Sequence, residues 1–251
     1  ILDRFLDDGI TFDEYIGVSA GAWNLASYTA GQRGRNLRFY TEHTKDPRFM
    51  GFWNFITKGS YFNHRYIYGE LSNSTGKDPF FYSDALANPA ELLLTATDAK
   101  TGNVRYFSKT EMAVNDYRIL MAGSSIPALC RPIEIDGRMY YDGGVSDPIP
   151  LKKAFDDGCE KVVVLLENAR TFVRSPQRMR QAYCAMLRKY PKIVEMIDER
   201  HLRYNEILKW VYEMEKDGRI FIFAPPENTG VSTSTRDTKL MQKLYDKGVE
   251  D

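Results

Sequence analysis

The residues predict an α/β protein, with a three-layer α/β/α core around a mostly parallel central sheet and a mainly helical C-terminal extension. Three features point there. Helical patterns alternate with short apolar segments over much of the chain, as crossover units require. Within Lys161–Leu166 the run Val162-Val163-Val164-Leu165-Leu166 is apolar throughout, as in a parallel strand covered on both faces. Beyond residue 170 the texture turns helical.

In chain order, Ile1, Leu2, Phe5 and Leu6 recur at helical spacing across Ile1–Asp8, and Gly9 ends the run. Tyr15–Val18 reads as a buried strand end. A helix follows Gly21 through Tyr28 and stops near Gly31; a second begins around Arg35 and carries Leu37, Phe39 and Tyr40. From Asp46 to Tyr68 aromatic residues crowd together without clean periodicity. Glu91–Thr97 and Val104–Ser108 read as strands joined at the turn-forming Thr101-Gly102-Asn103. Ile133–Ile135 and Met139–Tyr141 flank Asp136-Gly137, a strong hairpin signal. Pro191 suits a helix first turn, and Ile193, Ile197, Tyr204, Leu208 and Val211 form a stripe that Gly218 stops. Ile220–Phe223 is one more strand and Asp237–Lys247 a closing helix.

A chain of 251 residues suits one large α/β domain, or one domain with a small appendage, and needs no staples. Basic and acidic residues balance at 34 each, so no whole-protein field draws nucleic acid or strongly anionic lipid. Cys130, Cys159 and Cys184 are odd in number and scattered, which excludes a disulfide framework or zinc spacing and fits the cytoplasm. No apolar run is long enough to cross a bilayer. The chain starts at Ile1 rather than Met, so upstream residues are expected to be missing, and any targeting segment with them.

Gly17-Val18-Ser19-Ala20-Gly21 has the G-x-S-x-G spacing between a strand end and a helix, the context a nucleophile elbow requires. Its glycines are expected to tolerate unusual dihedrals and to leave room for neighbouring backbone. Ser19 would then project at a helix N-terminus, where free N–H groups favour developing negative charge. The competing reading is a turn whose serine merely caps the helix.

A serine hydroxyl needs a base. His43, His64 and His201 lie in no glycine-rich loop and at no obvious strand end, so none is favoured. Asp142-Gly143-Gly144 directly follows a strand, which sets the carboxylate at a sheet edge where α/β ligands bind. In a dry pocket an aspartate gains the basicity to take a hydroxyl proton itself. The competing reading is a tight turn closing a strand.

Gly17–Gly21 with Trp23-Asn24, followed by Asp142-Gly143-Gly144, resembles the patatin-like phospholipases. Ser124-Ser125-Ile126-Pro127-Ala128 with Arg131-Pro132 is similar to the family block before the aspartate strand, and Thr97-Asp98 with Thr101-Gly102 matches its texture. The likeness runs from Ile1 to Leu166, and the helical remainder is similar to an extension in small bacterial members. The resemblance implies a catalytic domain over residues 1–170 and a helical extension over 171–251 packed on it. It implies Ser19 and Asp142 as a catalytic dyad, with Gly17, Ala20 and Gly21 shaping the elbow and oxyanion site and Gly143 and Gly144 supporting the aspartate. The family's first strand and glycine-rich oxyanion loop lie upstream of its elbow helix, so both are expected to be missing before Ile1.

The activity so implied is hydrolysis of lipid acyl esters, of phospholipase A, lysophospholipase or carboxylesterase type, through an acyl-serine. No H-E-x-x-H, cysteine cluster or EF-hand loop is present, so neither metal nor cofactor is expected. The expected partners are a fatty-acyl ester and a peripheral membrane contact, with no nucleic acid; oligomeric state is left open. An acyltransferase using the same dyad, or a catalytically silent lipid-binding protein on this fold, are the alternatives. Acyl-carrier acyltransferases share the serine motif but place histidine before it, where this chain has Val18. The aromatic stretch Phe49–Tyr68 is either an acyl pocket or lid, or ordinary packing. Arg33, Arg35 and Arg38 either meet lipid phosphate or form a solvated helix face.

Overall fold

Residues 1–250 are described by the structure, a computed structural model. Helix α1 (Leu2–Asp7) leads into strand β1 (Glu14–Gly17), then helices α2 (Ala20–Thr29) and α3 (Arg35–Thr41). The aromatic segment folds into α4 (Phe52–Lys58) and a π-helical stretch, Arg65–Leu71; α5 (Tyr82–Ala87) follows. Strands β2 (Glu91–Asp98) and β3 (Val104–Ser108) form a hairpin, as expected. After α6 (Arg118–Gly123), strands β4 (Ile133–Ile135) and β5 (Arg138–Asp142) form a second hairpin. Its turn residues Asp136 and Gly137 take φ of 50° and 75°, the doubly positive geometry of a type I′ turn. The chain continues through α7 (Leu151–Asp156), β6 (Val162–Leu165), α8 (Arg180–Met186), α9 (Pro191–Lys216), β7 (Ile220–Phe223) and α10 (Thr238–Glu250).

One strand organises the sheet. β2 is buried over seven of its eight residues and pairs with three others. β3 overlaps β1 at Leu93 and Leu94 and β5 at Ala96 and Thr97, so it must own one edge of β2. β1 and β5 therefore share the other edge end to end, β1 along Glu91–Leu94 and β5 along Ala96–Asp98. Parallel pairing is confined to β1–β2 and to the separate pair β6–β7, so the sheet is mixed where a mostly parallel one was expected. The cause is the two hairpins, whose short turns leave no room for crossover helices.

Helices cover both faces, as the three-layer class requires. On one, Leu92, Leu94, Ala96 and Tyr140 pack with Trp23 and Ala26 of α2 and Leu120 and Ala122 of α6. On the other, Tyr141, next along β5, packs with Tyr183 of α8 and Ile193 and Ile197 of α9. Adjacent strand residues thus anchor opposite layers. The whole predicted stripe of α9 is buried, Pro191 begins the helix, and Gly218 lies beyond its end at φ 71°.

Three expectations are corrected. β6 is parallel to β7 but not covered on both faces: Leu165 is 40% exposed, and Phe221, on the same face of the paired strand, is 61% exposed. The arginines after α2 do not form one solvated face, because Arg33 is exposed while Arg35 is buried. Arg33 is forked onto Asp7, and Arg35 is fully buried against Trp23 and Phe39, bonding Ser27, Ser72 and Asp78 O. Arg38 and His43 share the Asp78 carboxylate, whose ionised form these partners favour. The aromatic stretch divides: Tyr66 and Tyr68 join the core, while Phe52 and Trp53 stand in solvent.

Candidate active site

β1 ends at Gly17, opposite Leu94, and Thr95 Oγ1 ties down the Gly17 carbonyl at 3.0 Å. The chain then turns sharply into α2. The strained residue is Ser19 itself, at φ 53° and ψ −124°, in a region that side chains rarely occupy. This corrects the expectation about the flanking glycines, neither of which has positive φ. Gly17 is needed for space, since a Cβ there would lie 2.3 Å from Ala22 Cα. Gly21 has nothing within 4 Å of such a Cβ and sits in ordinary helix. Among the described residues nothing steric therefore requires glycine at that motif position.

Ser19 occupies the N-cap position of α2 but makes no side-chain capping bond. Its hydroxyl instead donates to Asp142 Oδ2 at 2.5 Å, across 123 residues of sequence. Gly21 N–H donates to Val18 O at 2.8 Å and Ala22 N–H to Ser19 O at 3.1 Å, which leaves the Ala20 N–H as the donor at the start of α2 with no hydrogen-bond acceptor among the described residues.

Asp142 ends β5 and is 4% exposed. Every polar atom of it is held. Its N–H donates to Ser125 O at 2.9 Å, its carbonyl accepts Thr97 Oγ1 at 2.8 Å, and its Oδ1 accepts Gly144 N–H at 2.8 Å. Burial pushes its pKa up to about 6, although the Ser19 hydrogen bond, the Arg200 charge and the Gly144 N–H pull the other way. Such a carboxyl is more basic than an exposed one yet largely ionised at neutral pH. The glycines after it have separate causes. A Cβ on Gly143 would lie 2.1 Å from Thr95 Oγ1, and one on Gly144 would press on Asp142 Oδ1, Arg200 and Val18.

The sequence pointed to Ser19, Gly17, Ala20, Gly21, Asp142, Gly143 and Gly144, and the fold brings these together. It gave no bracing role to the threonines at the two strand ends: Thr95 was signalled only by polarity within a buried strand, and Thr97 also by the family texture. It also missed Arg200, which reaches the Gly144 carbonyl from α9. No histidine hydrogen-bonds Ser19 among the described residues. His43 serves Asp78, and His64 is buried on Ser125 with its pKa lowered to about 4, hence neutral. No three His, Cys, Asp or Glu side chains among the described residues group to hold a metal ion. A surface depression lined by Thr41, Glu42, Lys45, Lys239, Gln242 and Asp246 shares no residue with this site, and its charged lining does not suit an acyl chain.

A strained serine turn bonded to a buried aspartate defines a serine-acid pair where β1 and β5 meet end to end along β2. A family model described as patatin-like phospholipase matches residues 1–155, and the chain belongs to that family. Residues 190–251 match a domain of unknown function, DUF6363. The chain is similar to the uncharacterized protein YjjU of Escherichia coli (strain K12), with 23% identity over 231 residues, 90% of this chain. It spans 64% of that relative's length.

Proposed function

We propose that the protein is a serine-dependent lipid acyl hydrolase in which Ser19 is the nucleophile and Asp142 the general base. The observation that carries this is the 2.5 Å hydrogen bond from a strained Ser19 to a buried Asp142, in a chain of this family. Ser19 Oγ attacks the ester carbonyl carbon as its proton passes to Asp142 Oδ2. The tetrahedral adduct collapses to an acyl-serine, and the proton leaves with the alcohol. Water, deprotonated by Asp142, then attacks the acyl-serine; the fatty acid departs and Ser19 recovers its proton. The Ala20 N–H at the start of α2 is one donor for the developing oxyanion. Residues 1–170 form the catalytic unit in this reading, and 171–251 a helical unit packed on it.

The reading extends to a membrane surface. Phe52, Trp53 and Ile56 on α4 are 70%, 74% and 59% exposed, and Lys58 ends the same helix. Exposed aromatic and aliphatic side chains beside a cation suit the boundary between headgroups and acyl chains. Among the described residues no helix is long and apolar enough to cross a membrane. Three unpaired cysteines fit a reducing compartment, and we place the protein in the cytoplasm at a membrane surface.

The test is the intact mass of the full-length protein after a fluorophosphonate probe, beside Ser19→Ala and Asp142→Asn. One adduct on the wild type, absent from Ser19→Ala and sharply slowed in Asp142→Asn, is expected. A folded wild type that takes no adduct would overturn the hydrolase reading in favour of lipid binding alone.

A further inference from the structure

The loop that carries Asp142 is held from outside the sheet. On α9, Arg200 Nε donates to Gly144 O at 2.9 Å, and Arg203, one turn on, donates to Val145 O at 3.3 Å. Gly144 turns its own N–H onto Asp142 Oδ1, and Oδ2 receives Ser19. A hydrogen-bonded path therefore runs from a guanidinium on α9, through one residue, to the carboxylate and the serine. A Cβ on Gly144 would lie 3.1 Å from Asp142 Oδ1 and 3.3 Å from the Arg200 guanidinium, so both groups crowd the same missing side chain.

We infer that Arg200 is a positioning residue for the Ser19–Asp142 pair, holding the Asp142–Gly144 loop so that Oδ2 faces Ser19. The segment matched by a domain of unknown function would then complete the site of the patatin-like segment. The inference rests on the proposed dyad. Its alternative is that α9 merely covers apolar surface, as its stripe does. Two features separate them: Arg200 is not in that stripe, and its hydrogen bond ends on the peptide next but one to the base.

Charge gives the readout. The groups whose charge acts on or with the Asp142 carboxyl are Arg200 from α9, Glu167 after β6, Tyr68 of the π-helical stretch and Cys130 before β4. Burial holds Tyr68 and Cys130 neutral, Glu167 favours the protonated carboxyl, and Arg200 favours the ionised one. Removing the arginine charge must raise the pH at which Asp142 protonates.

The experiment uses the full-length wild type, Arg200→Gln, Arg200→Lys and Arg203→Met. Two quantities are followed against pH: the rate of fluorophosphonate labelling of Ser19, and the ¹³C shift of the Asp142 carboxyl carbon. Arg200→Gln should move both midpoints up by about one unit, the lower end of what a nearby opposite charge does, and slow labelling at neutral pH. Arg200→Lys should keep the midpoint but label more slowly, since an ammonium cannot reproduce the fixed guanidinium geometry. Arg203→Met should lower Tm and leave the midpoint in place. If Arg200→Gln folds with unchanged midpoints and wild-type labelling, the inference is overturned. If no form labels but the carboxyl midpoint still moves in Arg200→Gln, the hydrolase reading fails while the link from α9 to Asp142 stands.

Discussion

Ser19 and Asp142 arrive at the same point of β2 from opposite ends. Asp142 is registered opposite Ala96, and β1, whose last pair is Gly17 with Leu94, would set Ser19 opposite Ala96 two residues later. Both strands cannot occupy that position. β1 leaves the sheet at the elbow, and β5 stops there. Thr95, between the two ends, bonds Gly17 O and crowds Gly143, so one side chain spaces the serine turn from the aspartate turn. The dyad is thus a product of sheet topology: two strands that meet head to head must each turn away, and their turns carry the reacting groups.

Ser19→Ala should lower kcat for a short-chain ester by about six orders of magnitude, the scale of losing a nucleophile, and Asp142→Asn by about four or more. Ser19→Gly should be equally inactive but more stable than wild type. Glycine accepts φ 53° without the penalty of about 1–3 kcal/mol that such backbone imposes on other residues. Thermal unfolding of Ser19→Gly beside Ser19→Ala checks this, and equal Tm values would mean that the elbow stores no strain.

The pH profile follows from the buried base. With its pKa raised to about 6, Asp142 should be protonated, and unable to accept the serine proton, as pH falls through that value. The logarithm of kcat/KM should fall there with unit slope. Stability has the opposite dependence. A carboxyl that binds its proton more tightly folded than unfolded stabilises the fold below its unfolded pKa and loses that contribution as pH rises through 6. Asp142→Asn, which cannot titrate, should therefore gain Tm relative to wild type between about pH 4 and pH 7. Parallel Tm curves would show that the carboxyl is not perturbed.

Much of this was legible in the chain. Asp136-Gly137 foretold its turn, the stripe of α9 was complete, and the serine and aspartate motifs were both visible, because each depends on local spacing. What stayed hidden depends on partners far away in sequence. Nothing local says that Arg35 is buried among aromatic rings, since an arginine between two others reads as part of a solvated face. Arg200 belongs to no motif and acquires its place only when α9 docks on β5. The short helices α4 to α8, six or seven residues each, span too few turns for a period to register.

The two motif glycines should respond differently to alanine. Gly17→Ala drives a Cβ to 2.3 Å from backbone at Ala22, so the elbow must shift. Overpacking of this kind costs about 1–3 kcal/mol, and here the displacement falls on the nucleophile, so activity should drop further than stability. Gly21→Ala meets open space in ordinary helix and should stabilise the protein by up to about 1 kcal/mol. Urea unfolding and ester hydrolysis on both variants decide it. A destabilised Gly21→Ala would show that the position is crowded by something these residues do not include.

Finally, membrane contact separates from chemistry. Phe52, Trp53 and Ile56 lie on a helix that contributes nothing to the dyad, and their exposure means that polar replacements disturb little packing. Phe52→Ser with Trp53→Ser should leave Tm and hydrolysis of a soluble short-chain ester within twofold of wild type. Binding to vesicles that mix phosphatidylcholine and phosphatidylglycerol should weaken by tenfold or more, since two buried aromatic side chains are worth about 3 kcal/mol or more of transfer free energy. Hydrolysis of vesicle lipid should fall by the same factor at limiting vesicle concentration and recover as lipid is added, because only the encounter is impaired. If vesicle binding is unchanged in the double variant, α4 is not the docking face; if soluble-ester hydrolysis falls in step, the segment belongs to the acyl site instead.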